Sequence, residues 1–529
     1  MQSEQPSLPE LALGTEDSVS PRGTQSPAEE SGRGERKPRF KVIDRSQLRW
    51  RILDIDKLIP EDHPARAIWE FVGGLDLSSY RVEVRAVEGI AGRSAISPEL
   101  LISLWVYAYS KGVKSARAVA HSCEHDPPYQ WLTGGEVVNA HTLSDFRVQH
   151  HEKLKPLFAQ VLAALSGEEL ITLERVGQDG TKIKALAASN SFRSEERVRE
   201  LLEKAQEHVE AVDQLPEEES TERMAKARDR GRRERQQRLE AAQKEFEKLE
   251  AEAKSKGKTR QRVSITDPEA RVMKQPDGGF APSYNVQLST DAANKVVVGV
   301  GVTQAGNDFE QLMPGVDRVE QNLNKTPKQV LGDGGYVSRD NIVKMADREV
   351  EFIGPQGDDA GKGTSSYERR GVAPEYHASQ FVYDAESNSF RCPQGKTLEY
   401  EGKHEGDSEV SYKYRAQFTD CQECPAKKLC CPGNQASGRS VHRTEELPVV
   451  AQFREKMQTE PAREIYRQRS EIAETPNLWI KAKFGLRQFS VRGLRKVEME
   501  ALWACIAYNI QQWIRLRWRK RLLAIAAGA

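Results

Sequence analysis

The sequence predicts a mixed α/β fold, with an all-α region ahead of it and two insertions inside it. Three observations carry this. Residues 42–165 place apolar side chains at helical spacing, and residues 262–354 alternate β-branched runs with helical patterns. A charged stretch at 191–261 and a Cys-rich stretch at 355–445 fit neither pattern. At 529 residues the chain exceeds one ordinary domain.

Composition narrows the classes. Lys plus Arg equals Asp plus Glu at 79 each, so net charge names no partner. Local charge says more: residues 33–41 (RGERKPRFK) and the stretch from Lys481 to Arg521 are basic, which suggests docking to a polyanion, although a solvated surface is the commoner reading of any one such patch. No apolar run approaches the ~20 residues that span a bilayer. Residues 1–40 are rich in Ser, Pro, Glu and Gly and read as a disordered tail, with no basic start and apolar centre of a signal peptide. A cytoplasmic protein is expected. The cysteines number seven, an odd count, and most crowd between residues 392 and 431, which suits a metal better than disulfides.

Residues 41–165 read as a helical DNA-binding domain. Pro64 opens a helix over Ala65–Val72, and Ser97-Pro98 opens another with Leu100, Leu101, Leu104, Trp105 and Ala108 on one stripe. Ser115 caps Ala116–Cys123, PPYQWLTGG reads as a loop, and Thr142 with Asp145 resembles a capping box. The last helix carries Arg147, His150, His151, Lys153 and Lys155, so helix, turn and basic helix suggest a helix-turn-helix-like reader with Arg147 on phosphate. A bundle with a polar outer face fits the same pattern. His121, Cys123, His125 and His141 lack a second well-spaced pair, and they read as capping or packing groups like the other histidines.

Residues 170–187 read as two short strands around Asp179-Gly180. The insertion at 191–261 then places Val198, Leu201, Ala205 and Val209 on one stripe and Leu239, Ala242, Phe246, Leu249 and Ala253 on another: a helical hairpin or coiled coil. The strands APSYNVQLSTD and KVVVGVGVTQ follow, and Asp308 reads as a helix start. KQVLGDGGYVS is a buried strand ending at Asp333, before a helix near 339–347 and the strand VEFIGP. Helices are expected at about 448–473 and 476–521. Three consecutive strands, then helix, strand, helix, strand, describe a ribonuclease-H-like core built from 170–190, 262–354 and 446–521.

Asp179 and Asp333 stand at predicted strand ends, and Glu474 lies far downstream. Converging carboxylates suit two Mg²⁺ ions, hard cations that prefer oxygen and can activate water against a phosphodiester. Each Asp is followed by Gly, and taken singly each reads as a turn residue. The turn reading is weaker for Asp333, because a helical pattern follows it. Glu471, one turn before Glu474, is the rival third acid. In RCPQGK and DCQECPAKKLCCP, the thiols Cys392, Cys421, Cys424 and either Cys430 or Cys431 have the intervals of a structural Zn²⁺ site, hence a zinc-ribbon-like insertion.

VGQDGTKIKALA, VLGDGGYVS and YRQRSEIAETPNLWIKAKFGLRQFSVRGL together resemble the catalytic motifs of bacterial insertion-sequence transposases of the DDE type. HPARAIWEFV, GRSAISPELLISLWVYAYSKGVKSARAVA and HTLSDFR resemble the InsH-like amino-terminal domain of that family. The resemblance spans roughly residues 40–520 apart from the hairpin. It implies Asp179, Asp333 and Glu474 as catalytic ligands of Mg²⁺ or Mn²⁺. Lys481, seven positions beyond Glu474, would hold DNA phosphate, as would Arg467. Lys483 and Arg487 downstream add basic phosphate contacts. The implied protein is a homo-oligomeric DNA transposase of the bacterial cytoplasm and nucleoid. It would cut and join double-stranded DNA at terminal inverted repeats and target, with no membrane partner. A non-enzymatic DNA-binding derivative and a metal-dependent nuclease are the alternatives. One departure stands out: TPNLW replaces the family's aromatic-glycine pair after the Glu. Thr475 before Pro476 predicts that the helix restarts there, with Glu474 at a kink.

Overall fold

The computed structural model describes residues 52–82, 94–213, 222–256, 261–355, 367, 370–405, 410–433, 437–445 and 447–527. The expected tail at 1–40 and the basic run at 33–41 lie outside them.

The region before residue 170 is helical, with helices at Pro64–Gly73, Pro98–Ser110, Ala116–His125, Pro127–Thr133, Ala140–Gln149 and Leu154–Gly167. Ser97 and Ser115 cap their helices as predicted, each side chain accepting a backbone N–H from three residues on. Two local readings are corrected. PPYQWLT is a helix, because Pro127 supplies a preset first turn and Gly134, left-handed at φ 64°, ends it. The next helix starts at Ala140, capped by Asn139, so Thr142 lies inside it.

These helices have no core of their own. Trp105, Phe158 and Val161 join Ile183, Tyr284 and Val298 of the sheet and Trp503, Ile506 and Trp513 of the Leu494–Trp513 helix in one apolar cluster. Tyr109 stacks on Trp503 with ring centroids 6.2 Å apart.

Thirteen strands follow among the described residues: β1 (Arg175–Lys184), β2 (Phe192–Arg193), β3 (Val263–Ser264), β4 (Arg271–Lys274), β5 (Phe280–Asp291), β6 (Val297–Thr303), β7 (Gln329–Leu331), β8 (Glu351–Ile353), β9 (Val382–Asp384), β10 (Ser389–Arg391), β11 (Thr397–Glu405), β12 (Val410–Ala416) and β13 (Ser440–Glu445). In the main sheet β5 lies antiparallel to β1, and both β6 and β4 pair with β5. On its other side β1 pairs in parallel with β7, and β7 with β8. The fold is therefore mixed α/β with a helical amino-terminal region. β1 is one unbroken strand, with Asp179 opposite Leu288, and not two strands about a turn. The Asp-Gly signal yields to nine ladder pairs with β5.

The insertion between β2 and β3 consists of helices Glu195–Asp213 and Glu222–Lys256, which share Val198, Leu202, Ala205, Leu239, Ala242 and Phe246. β2 and β3 pair at its base. Strands β9 to β13 form a second antiparallel sheet around Phe390, Leu398, Tyr414 and Val441. Three helices after it (Pro448–Gln458, Glu460–Arg467 and Arg469–Leu478) return the chain to the main sheet.

Candidate active site

Side chains alternate along β1, so Gly177 and Asp179 share one face. A Cβ on Gly177 would lie 2.7 Å from Cγ2 of Ile472, so the missing side chain lets the Arg469–Leu478 helix lie against the strand. Arg469, Ala473 and Asn477 recur every fourth residue and form the face that meets β1. Arg469 Nη2 stands 2.6 Å from Asp179 Oδ1, and Asn477 Nδ2 donates to Oδ2 at 2.7 Å.

β7 accompanies β1 only as far as Gly177 and Leu331. Beyond that point the edge opens, and Asp333 emerges two residues past the end of β7. Its Oδ1 accepts the Gly335 N–H at 2.8 Å, and its Oδ2 lies 3.7 Å from Arg469 Nη2. One guanidinium thus bridges Asp179, inside β1 just past its parallel pairing with β7, and Asp333, just beyond the carboxyl end of β7.

A further carboxylate went unread as a site residue. Asp308 does not cap a helix; the helix begins at Leu312. Asp308 Oδ1 instead accepts from Asn285 Nδ2 at 2.8 Å and Gln287 Nε2 at 2.5 Å, beside Gly180 and Gly335. An Asp ahead of a helix is so common a cap that its residue type carried no signal.

Burial pushes the Asp179 carboxyl up to about 6. Asp333 and Asp308 push the same way, while Arg469 and Lys481 oppose them. Lys481 is itself lowered by burial and partly restored by Asp179. Because the folded-state value exceeds the usual one, the protonated form favours folding. In divalent-free buffer this contribution is complete below about pH 4 and is lost as pH rises through about 6, on the order of 2–3 kcal/mol. Denaturant titrations from pH 4 to 7 should show Asp179→Asn with a flatter pH dependence than wild type. Parallel curves would remove Asp179 as the titrating group.

Glu474 is exposed on the same helix, its carboxylate accepting from Ser470 Oγ at 2.6 Å. Glu471 pairs with Lys295 at 3.2 Å. The predicted restart at Pro476 is corrected: Pro476 is inside the helix, which runs to Leu478 and widens into a π-helical turn over Trp479–Lys483. Pro476 has no N–H to give Ile472, and the wider turn follows. Among the described residues no three acidic, imidazole or thiol groups stand together so as to hold a metal ion. The structure therefore gathers Asp179 and Asp333 but leaves the Glu474 carboxylate apart.

The predicted phosphate contacts divide. Arg147 is a correction: it is buried, donates to Tyr109 Oη and the Lys114 carbonyl, and lies over Trp105. Arg467 is exposed but paired with Glu460 and Glu464. Lys483 and Arg487 are exposed. Of the histidines, His121 and His125 stack on each other, and His150 packs edge-on against Tyr80 and Phe146.

Cys392, Cys421, Cys424, Cys430 and Cys431 line one small cavity, all as free thiols. Backbone N–H groups of Lys396 and Arg439 point at the sulfurs of Cys392 and Cys421, at 3.2 and 3.3 Å. Gly395, left-handed at φ 78°, makes the turn that aims the first of them. Cys431 is pulled down to about 6 by its hydrogen-bonded neighbour Cys430, with Arg439 and Lys427 adding to the effect.

Comparison with known families finds two partial matches, both to transposase domains. A transposase DDE domain matches residues 391–514, and a transposase domain (DUF772) matches residues 53–149. The pairing of the two supports an insertion-sequence DDE transposase. Glu474 and Lys481 fall inside the first match, and Asp179 and Asp333 fall outside both. No curated protein and no solved structure matches the chain.

Proposed function

We propose that this transposase cuts and joins the ends of an insertion sequence, with Asp179, Asp333 and Glu474 holding divalent metal. The observation that carries the reading is the Arg469 guanidinium lodged between Asp179 and Asp333: a pair of hard oxygen donors already organised around a cation. That donor chemistry fits Mg²⁺ or Mn²⁺. When bound, the metal would activate water and stabilise the leaving oxygen of a phosphodiester. The protein's share is positioning. β1 and the turn after β7 fix the two aspartates, and Asn477 orients Asp179. Glu474 lies one turn from Asn477 on the same helix, so rotation of its side chain carries it toward the pair. Lys481, one turn beyond Asn477, interacts electrostatically with Asp179 and is suited to the phosphate brought there.

The main-sheet order β6-β5-β1-β7-β8, antiparallel on one side of β1 and parallel on the other, supports a ribonuclease-H-like core. The thiol-lined cavity, with amides aimed at two sulfurs, supports a structural Zn²⁺ held by Cys392, Cys421, Cys424 and Cys430 or Cys431, which would have to draw the thiols closer than they stand in this structure. Double-stranded DNA is the partner, and Lys481, Lys483 and Arg487 are its proposed contacts.

Incubating the protein with DNA that carries the element's ends and Mg²⁺ should yield 3′-hydroxyl nicks and then joined products. Nicks without joining would make it a nuclease. Binding without either would make it a DNA-binding derivative.

A further inference from the structure

Lys481 and Lys483 leave one short segment in different directions. Lys481 interacts electrostatically with Asp179, whereas Lys483 lines a cavity of about 330 Å³ walled by four separate parts of the chain. Lys111 comes from the end of the Pro98–Ser110 helix, Lys483 from the π-helical turn, and Arg515 and Arg519 from the carboxy-terminal helices. Pro64, Ser110, Trp479, Gln511 and Ile514 complete the wall.

The chain is built to bring these cations together. Gly112, left-handed at φ 75°, turns the backbone behind Lys111 against the Phe484 carbonyl, leaving only 3.2 Å for a Cβ. Lys114 Nζ then donates to the carbonyls of Gly485 and Gln488, at 3.2 and 2.8 Å. The helical region is thereby bonded to the segment just beyond Lys483.

None of the four cations is neutralised. Among the described residues Lys111, Lys483, Arg515 and Arg519 form no ion pair, and no carboxylate lines the cavity. Their partners are uncharged: Lys483 Nζ lies 3.6 Å from the Trp479 ring centroid, Lys111 Nζ 5.3 Å from that of Tyr107, and Arg515 donates to Gln512 Oε1. Burial, then Lys111 and Arg519, lower the Lys483 ammonium. Other arginines of the same carboxy-terminal stretch are paired, Arg517 with Glu168 and Arg521 with Glu70. Four unpaired cations around one cavity repel each other until an anion enters.

We propose that this cavity is a phosphodiester-binding site, a second grip on the backbone of duplex DNA distinct from the carboxylate site. It rests on the DNA-processing reading above. The shared segment argues for DNA over a free phosphate: the turn that presents Lys483 here also presents Lys481 to Asp179, so substrate at the carboxylates runs beside the cavity. Contacts of this kind hold DNA in place and carry no sequence preference.

The test uses the full chain, a labelled random-sequence duplex of about 30 base pairs, and anisotropy between roughly 50 and 200 mM salt. The slope of log K against log salt reports phosphates engaged, at about 0.9 per contact. Lys111→Gln/Lys483→Gln/Arg519→Gln together should flatten it by about two to three and weaken binding tenfold or more. Lys111→Arg/Lys483→Arg should keep most of the wild-type slope and affinity. Arg348→Gln, already paired with Asp317, should change nothing. If the triple variant does not fold, Arg519→Gln alone should still flatten the slope by about one. A wild-type slope in the variants overturns the site while leaving the DNA reading intact. Equal weakening of wild type and triple variant by inorganic phosphate at matched ionic strength overturns it also. A wild-type chain that binds no duplex removes the reading and the site together.

Discussion

Asp179→Asn, Asp333→Asn and Glu474→Gln should each lower metal-dependent strand cleavage on the order of a thousandfold. Glu471→Gln should stay within a few-fold of wild type. The contrast follows from geometry along one helix. Glu474 is a one-turn neighbour of Asn477, which holds Asp179, whereas the Glu471 carboxylate is engaged by Lys295 on the other flank. Nicking of end DNA in Mg²⁺ measures the effect, and anisotropy on the same duplex confirms that binding survives. Loss of cleavage in Glu471→Gln with retention in Glu474→Gln would transfer the third position to Glu471. Normal cleavage by Asp179→Asn would end the proposal.

If Cys392, Cys421, Cys424 and Cys430 or Cys431 hold the proposed zinc, its removal should melt the second sheet. Its apolar cluster is small, with Phe381, Phe390, Leu398, Tyr414, Ala416 and Val441 at its centre. So few buried side chains leave a module of this size marginal by itself. A structural zinc contributes about 10 kcal/mol or more of apparent folding free energy near neutral pH. The purified protein should carry one zinc per chain. A strong chelator, or Cys421→Ser, should collapse hydrogen-exchange protection across β9 to β13 while β1 and β5 stay protected. Metal-free protein with full protection in β11 and β12 would show that the thiols pack and do not ligate.

Much of this architecture was legible locally. Ser97-Pro98 and Ser115 announce helix starts through backbone chemistry complete within four residues. The Val198 and Leu239 stripes give a helical pair because a repeat of three and four can bury one face only. The strand before Asp333, the turn through its glycines and the helix after it also follow from adjacent residues. Local signals misled where a longer-range term outweighed them. Asp179-Gly180 looks like a turn, but nine ladder pairs with β5 hold it extended. Thr475-Pro476 looks like a break, but Ile472 and Ala473 packed on Gly177 carry the helix through. Arg147 looks like a surface cation, but Trp105 and the Lys114 carbonyl draw it inside.

By itself the sequence determined most helices of the amino-terminal region, the helical pair, most strands of the main sheet, the spacing of the thiols and the three acids worth testing. These depend on periodicity and on side chains that act on their own backbone. Tertiary structure alone decided which groups meet. Asp179 meets Arg469 and Asn477 from almost three hundred residues away, Asp308 turns inward to Asn285 and Gln287, and Lys111 joins Lys483 and Arg519. Those meetings depend on how a helix docks on a strand. Burial and charge at the docked surface decide that, and no window of neighbouring residues contains both sides of it.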